Sequence, residues 1–457
     1  MKVLKVLLFF FISYVVLTPV TPVAASLPDS WGDADLYRFN ILNITTDGLD
    51  LVLDGNYAYL AGGYSGLYIL DISDPSHITV KSHLPLSAFG LTAISLSSIA
   101  TDGSYIYCGF RKTSGYREQG YIKVVNIVNL ETSGPTIEAN DLFLDFTLGT
   151  SGRVTGLFID TENQRLYAAL RLGGLGLIDI SDPSDITIIG KYNPPETVEY
   201  QEAIIDDAHK RAYVGAWFQG ILAIDISDPV PANWTKVKVD DSNIDTRYWY
   251  LAQRGQYLYA PVADSPTDNT FDEGLAIFDL SQNFSDPGVA PVRIAYAAIP
   301  PEFQCESALG GKDEGLDGGD PGPHQITLTG NYAVVANGCM GLAIFDISDP
   351  YNPFFIREYE IPGQTDFPWS IAIRDDYLIT VGENKTYYVA NDVYAFKINP
   401  AADEPTVPTK PASNNVTTSP GCTISTSPTK DPILFLLVMF SLFCIIRKRR
   451  SQQYLGR

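Results

Sequence analysis

The sequence predicts an all-β fold, a seven-bladed β-propeller of four-stranded antiparallel blades. Three observations carry this. A ten-residue string recurs along the chain, its copies are spaced about one blade apart, and each sits among short apolar runs separated by turn residues. The string Gly-Leu-Tyr-Ile-Leu-Asp-Ile-Ser-Asp-Pro at Gly66–Pro75 returns at Gly174–Pro183, Gly220–Pro229 and Gly341–Pro350, with degraded copies at Tyr121–Asn129, Gly274–Ser281 and Asp392–Pro400. Marked by the central acid or its stand-in, the copies fall at Asp71, Asn126, Asp179, Asp225, Asp279, Asp346 and Lys397, in steps of 55, 53, 46, 54, 67 and 51 residues. Short strands repeating at such a period build radial arrays of blades.

The first unit shows how a blade is written. Leu49–Leu53 is an apolar run, and Asp54-Gly55-Asn56 is a turn whose residues tolerate positive φ. Tyr57–Ala61 is a second strand, followed by the Gly62–Gly66 turn and the fully apolar strand Leu67–Ile72. Ile78–His83 then alternates as an outer, half-exposed strand does. No stretch of this region sustains a 3.6-residue apolar period. The Ser-Asp-Pro ending explains itself locally, since Pro cannot continue a ladder and Asp before it favours a turn. The repeated acids therefore read as turn formers rather than ligands, one per blade with nothing to converge on.

The apolar-apolar-Asp-Ile-Ser-Asp-Pro strings resemble the LVIVD repeat family, over about Leu36–Pro400. That resemblance implies a β-propeller, mostly found on secreted or surface proteins, with no single conserved catalytic set. Copies two and seven depart from the motif, with Asn126 and Lys397 in place of Asp.

Closure of the ring follows from what the ends lack. The last copy, Tyr387–Ile398, has no fourth strand, while the alternating segment Leu36–Ile41 has no local partner. The N-terminal segment is expected to be the outermost strand of the last blade, which removes an exposed edge.

Outside the propeller, 26–400, the composition changes. Basic Met1–Lys5, apolar Val6–Val16 and small Val23-Ala24-Ala25 read as a secretory signal peptide, 1–25. Residues 401–431 are rich in Pro, Thr and Ser and read as an extended stalk. The segment 432–446 is apolar and precedes a basic tail, 447–457, which places that tail on the cytoplasmic side. It is short, and two readings stand: a transmembrane span with snorkelling arginines, or part of a C-terminal sorting signal. Together these features predict a single-pass cell-surface protein, extracellular except for its tail and monomeric.

The chain has 31 basic and 53 acidic residues and a formal charge of −22. Without the seven basic residues of the two termini, 24 face 53 acids, a net −29. Such a surface disfavours nucleic acid and anionic lipid.

The cysteines carry no zinc or redox spacing. Cys305, at the start of a long insertion, and Cys339, on the following turn, are expected to form a disulfide, which export permits. Cys108, inside a strand, is expected to be a buried free thiol. Sequons stand at Asn43, Asn233, Asn283, Asn384 and Asn415, candidates for glycosylation.

His77, His83 and His209 fall on turns and outer strands. His324 opens an innermost strand, and Asp50, Ser98, Glu202, Tyr250 and Trp369 align with it around one mouth of the ring. The insertion Pro300–Pro323 places Asp313, Glu314, Asp317 and Asp320 among glycines, a pattern open to calcium as a cofactor but not that of an EF-hand. No nucleophile elbow, phosphate loop, zinc helix or dinucleotide fingerprint occurs.

The function expected is recognition or adhesion, a surface module binding an extracellular protein or glycan. The residues backed for it are Gln304–Pro323 and the loops near Trp217, Trp249 and Trp369, with blade packing as the alternative for those tryptophans. The competing class is an extracellular enzyme, a hydrolase or oxidoreductase at the central mouth, with His324 as acid or base beside Glu202 or Asp50.

Overall fold

The computed structural model describes residues 36–40, 48–75, 77–91, 94–114, 117–144, 153–193, 198–216, 219–239, 247–263, 273–304, 322–359, 366–374, 377–384 and 392–397. The chain divides into two units, Met1–Pro408 and Thr409–Arg457, and every described residue belongs to the first. The expected signal peptide, stalk and 432–446 segment lie outside the described residues. Among those described, no helix is long and apolar enough to cross a membrane.

The described strands form an all-β propeller. β1 (Leu36–Asn40) comes first in the chain but joins the last sheet. Sheet I is β2 (Asp50–Asp54), β3 (Tyr57–Ala61), β4 (Leu67–Asp71) and β5 (Thr79–Leu84). Sheet II is β6 (Ile94–Thr101), β7 (Tyr105–Ser114), β8 (Arg117–Asn126) and β9 (Thr136–Leu144). Sheet III is β10 (Val154–Asp160), β11 (Arg165–Leu170), β12 (Gly174–Asp179) and β13 (Thr187–Tyr192). Sheet IV is β14 (Glu202–Asp206), β15 (Arg211–Gly215), β16 (Ile221–Asp225) and β17 (Thr235–Lys238). Sheet V is β18 (Ala252–Arg254), β19 (Tyr257–Val262), β20 (Gly274–Asp279) and β21 (Val292–Ala298). Sheet VI is β22 (Ile326–Thr329), β23 (Tyr332–Ala336), β24 (Leu342–Asp346) and β25 (Phe354–Tyr359). These six take four consecutive strands each. Sheet VII is composite: β26 (Asp366–Arg374), β27 (Tyr377–Asn384) and β28 (Asp392–Lys397), with β1 added antiparallel to β28 from Leu36 opposite Phe396 to Asn40 opposite Asp392.

The middle strands are mostly apolar because both of their faces are covered. In sheet I, Tyr59, Leu67 and Ile69 pack against Phe89, Leu96 and Phe110 on the side of sheet II. The alternate residues Leu60 and Leu70 pack against Ile379, Val381 and Val393 of sheet VII. Sheet VI divides the same way, Val335 and Phe345 toward Tyr259 and Ile277 of sheet V, Val334 and Ile344 toward Ile371 and Leu378 of sheet VII. Equivalent clusters join II to III, III to IV and IV to V. The period-two geometry of a strand thus hands successive residues to opposite neighbours. The outer strands, covered on one side at most, carry exposed residues: four of the six in β5 are exposed.

The repeat motif closes one end of sheets I to VI. Asp71, Asn126, Asp179, Asp225, Asp279 and Asp346 each accept the backbone N–H two residues on, at 2.8–3.1 Å. They are turn formers, as expected, and Asn126 makes the same bond with its amide oxygen. The next residue, Ile72, Ile127, Ile180, Ile226, Leu280 or Ile347, is buried and donates its N–H to the last residue of the turn between the first two strands, at 2.8–3.1 Å. In sheet I that turn holds Gly55 at φ 54°, a conformation that costs a residue with a Cβ.

Two arginines at one repeat position clasp neighbouring sheets at this end. Arg254 Nη1 donates to Gly330 O of sheet VI at 2.5 Å. Arg374 Nη1 and Nη2 donate to Gly55 O and Ile72 O of sheet I, at 2.7 and 2.8 Å. The second clasp joins residues more than 300 positions apart. Arg374→Ala removes both charged donors, and at ~1–2 kcal/mol per such partly exposed bond we expect a loss of ~2–4 kcal/mol. Arg254→Ala is expected to cost about half as much; urea unfolding midpoints of the two variants measure this.

Candidate functional site

The first strands of successive sheets are linked through their side chains. Asp50 Oδ2 accepts from Ile99 N of the next sheet at 2.9 Å, while its Oδ1 accepts from Leu51 N at 2.8 Å. Ser97 Oγ donates to Val154 O at 2.6 Å, and Thr155 Oγ1 to Tyr200 O at 2.7 Å. Glu202 Oε2 accepts from Leu251 N at 3.4 Å. Gln325 Oε1 accepts from Ile371 N at 2.6 Å and from Ser370 Oγ. Polar residues at one register of the inner strands therefore form a belt that ties I to II, II to III, III to IV, IV to V and VI to VII.

Three of the aligned mouth residues come together electrostatically. Burial pushes the Asp50 carboxyl up to about 6, against two backbone N–H groups that hold it down. Burial pushes Glu202 up to about 8, helped by the negative charge of Asp50 and opposed by the Leu251 N–H. Tyr250 is raised, first by burial and then by both carboxylates, while Arg153 pulls it down. Glu202 thus keeps its proton at neutral pH, and Asp50 titrates just below it.

His324 lies in a different group. It is fully buried, stacked on Trp369 with ring centroids 4.3 Å apart and edge-on to Trp249 at 4.8 Å. Its backbone N–H donates to Ala336 O. The ring is thus enclosed between two indoles rather than exposed at the mouth, where it had been expected as an acid or base. Trp249 is buried and packs edge-to-face on Trp369, the packing alternative for both; Trp217 lies outside the described residues. Ser98 joins neither group. It is buried over Gly109, where a Cβ would stand 2.5 Å from its Oγ.

Around the His324 stack lies a buried polar platform at the end of the sheets opposite the repeat turns. Arg247 and Ala263 exchange backbone hydrogen bonds, and Arg247, Glu273, Gln304 and Asn337 are all buried. Gln304 Nε2 donates to Ile299 O at 2.6 Å, and Asn337 Nδ2 to Phe303 O at 3.0 Å. Sequence reasoning backed Gln304 within the insertion but missed Arg247, Glu273 and Asn337, which stand outside the repeat string.

The remaining candidates fall as follows. Asp313, Glu314, Asp317, Asp320 and Cys305 lie outside the described residues, and for Cys339 only the backbone is described. Among the described residues no cluster of three or more His, Cys, Asp and Glu is placed to hold a metal. Cys108 is a buried free thiol, its pKa raised by burial, as expected. The expectation of a glycan at Asn283 is corrected. Asn283 is fully buried, its Nδ2 donates to Val289 O at 2.7 Å, and its Oδ1 accepts from Tyr213 Oη at 2.9 Å. Asn233 is exposed. Asn43 and Asn415 lie outside the described residues, and Asn384 ends β27.

Comparison with known proteins agrees with the repeats. The LVIVD repeat profile matches residues 47–84, 166–194, 210–233 and 323–360, so the chain carries LVIVD repeats. No curated protein matches the chain in sequence. Among solved structures, a chain described as "Crystal Structure of Mitotic Checkpoint Complex" is similar at TM-score 0.51 and 12% identity, over 82% of this chain and 97% of that one. The computationally designed Ika8 protein gives TM-score 0.46 and 11% identity, over 79% and 98%. The first likeness is one of fold.

The axial carboxyls make stability fall with pH. The unfolded chain releases the Glu202 proton near 4.5, the folded chain only near 8, so the folded state binds more protons between those values. The contribution is complete below the lower value and lost as pH rises through the upper one. Glu202→Gln is expected to raise the melting temperature at pH 9 by a few degrees and to flatten its fall between pH 5 and 9. An unchanged slope would count against this reading.

Proposed function

We propose that the protein is a seven-bladed recognition module of the cell surface, binding an extracellular protein or glycan through the end of the sheets opposite the repeat turns. The observation that carries this is the buried platform of Arg247, Glu273, Gln304, His324 and Asn337. It fixes both ends of the longest connection, at Gln304 and at Gly322–His324, and the two ends of the connection from Ala263 to Glu273. A rigid mount beneath long connections is what specific recognition asks of a scaffold. The neighbouring Phe303–Asn337 contact favours a Cys305–Cys339 bridge beside it. The seven sheets, with β1 completing the last, support the blade count.

A second reading, proton-transfer chemistry on the axis, draws on the raised carboxyls of Asp50 and Glu202 beside Tyr250. The belt bonds of both carboxylates favour a structural role.

Replacing residues 306–320 by a Gly-Ser linker of equal length tests the first reading. Binding of the purified 26–400 segment to intact cells is expected to fall about tenfold or more, with the melting temperature unchanged. Retained binding contradicts it.

A further inference from the structure

The opposite end of the sheets carries a second feature, independent of the recognition surface above. Between sheets IV and V lies an open groove of about 670 Å³, lined among others by Asp206, Asp207, His209, Gln253, Gln256 and Phe284. Its wall is aromatic: the His209 ring stacks on Phe284 at 3.6 Å with 1° between planes. Phe284 belongs to the five-residue helix Ser281–Ser285, which replaces the Ser-Asp-Pro turn in sheet V alone among the described repeats. The groove is therefore built by departures from the repeat.

Its polar groups are mostly acceptors. The Asp206 side chain is 8% exposed and is filled by three donors: His209 N–H at 3.1 Å, His209 Nδ1 at 2.9 Å and Gln253 Nε2 at 2.7 Å. Gln253 spends the same nitrogen on Gly255 O at 3.1 Å, which leaves its Oε1 to accept. Asp207 is half-exposed and held by Lys210 Nζ, a flexible ammonium three residues on. The turn itself is ordinary, since Asp160 caps Asn163 the same way in sheet III. What differs here is an aromatic ring at the capped position and a second ring beneath it.

The surroundings match in sign. Asp228 follows the repeat turn of sheet IV, which forms one side of the groove, in a chain of net charge −22. Acceptors, an aromatic wall and a negatively charged chain select a planar cation rich in N–H donors.

We propose that this groove docks an arginine side chain from a basic segment of a partner protein. The guanidinium lies along the His209–Phe284 wall and takes Asp207 and the Gln253 carbonyl as acceptors, displacing the Lys210 ammonium. Arginine fits better than lysine because its planar fork satisfies two acceptors while stacking.

Fluorescence anisotropy with the full chain and a labelled Gly-Arg-Arg-Gly peptide at low salt tests this. Asp207→Asn with Gln253→Ala is expected to weaken binding about tenfold or more, and His209→Ser alone by about threefold or more. The control, Glu162→Gln with Asn163→Ala, makes the same charge change at the corresponding turn of sheet III and is expected to shift binding less than about twofold. Equal melting temperatures establish that the variants fold. No binding at about 1 mM peptide, equal weakening by both variant pairs, or equal affinity for a labelled Gly-Lys-Lys-Gly peptide would overturn the proposal.

Discussion

No sheet of this protein buries its own two faces. The middle strands are mostly apolar and pack on both sides, so each sheet draws its stability from two neighbours. At about 1.5–3 kcal/mol per buried aliphatic side chain, one uncovered face of three or four such residues costs most of a domain's net stability. A row of such sheets has two bare ends, and the chain meets this constraint by bending the row until sheet VII packs on sheet I. The Leu60–Leu70–Ile379–Val393 cluster and the Arg374 clasp act at that one junction, and the β1–β28 pairing completes sheet VII beside it.

Given that packing, the polar residues fall into two structural sets. The repeat acids cap turns at one end, and a belt of Asp50, Ser97, Thr155, Glu202 and Gln325 holds the inner strands to one another. Neither set calls on the connections at the far end, where the proposed reading places specificity. The same freedom explains why the platform around His324 holds buried polar residues that no repeat position calls for. The groove at Phe284 shows the converse, a place where the repeat end itself has been altered.

Much of this was legible in the sequence, and the reasons are local. The Asp-Ile-Ser-Asp-Pro strings predicted the strand ends because an acid followed by Pro has few alternatives, and Asn126 stood in because its amide oxygen accepts the same bond. Leu36–Ile41 could be assigned to the last sheet because an alternating strand without a neighbour needs one. What stayed hidden depends on side chains from distant repeats. The Asn283 sequon gave no sign that Tyr213 and Arg211 of the preceding sheet bury it. His324 was expected to open its strand but stands two residues before β22, and register did not show two tryptophans packed on it. The Arg254 and Arg374 clasps had a signal, an arginine three residues before the tyrosine that opens the next strand, visible only once the repeats are aligned.

The dependence of every sheet on two neighbours is tested most directly by deleting residues 26–44, which removes β1 and leaves β28 with a bare edge. If closure holds the ring together, the melting temperature of the truncated chain drops by many degrees and unfolding loses its single cooperative step. A truncated chain that melts where the intact one does, in one transition, would contradict the account.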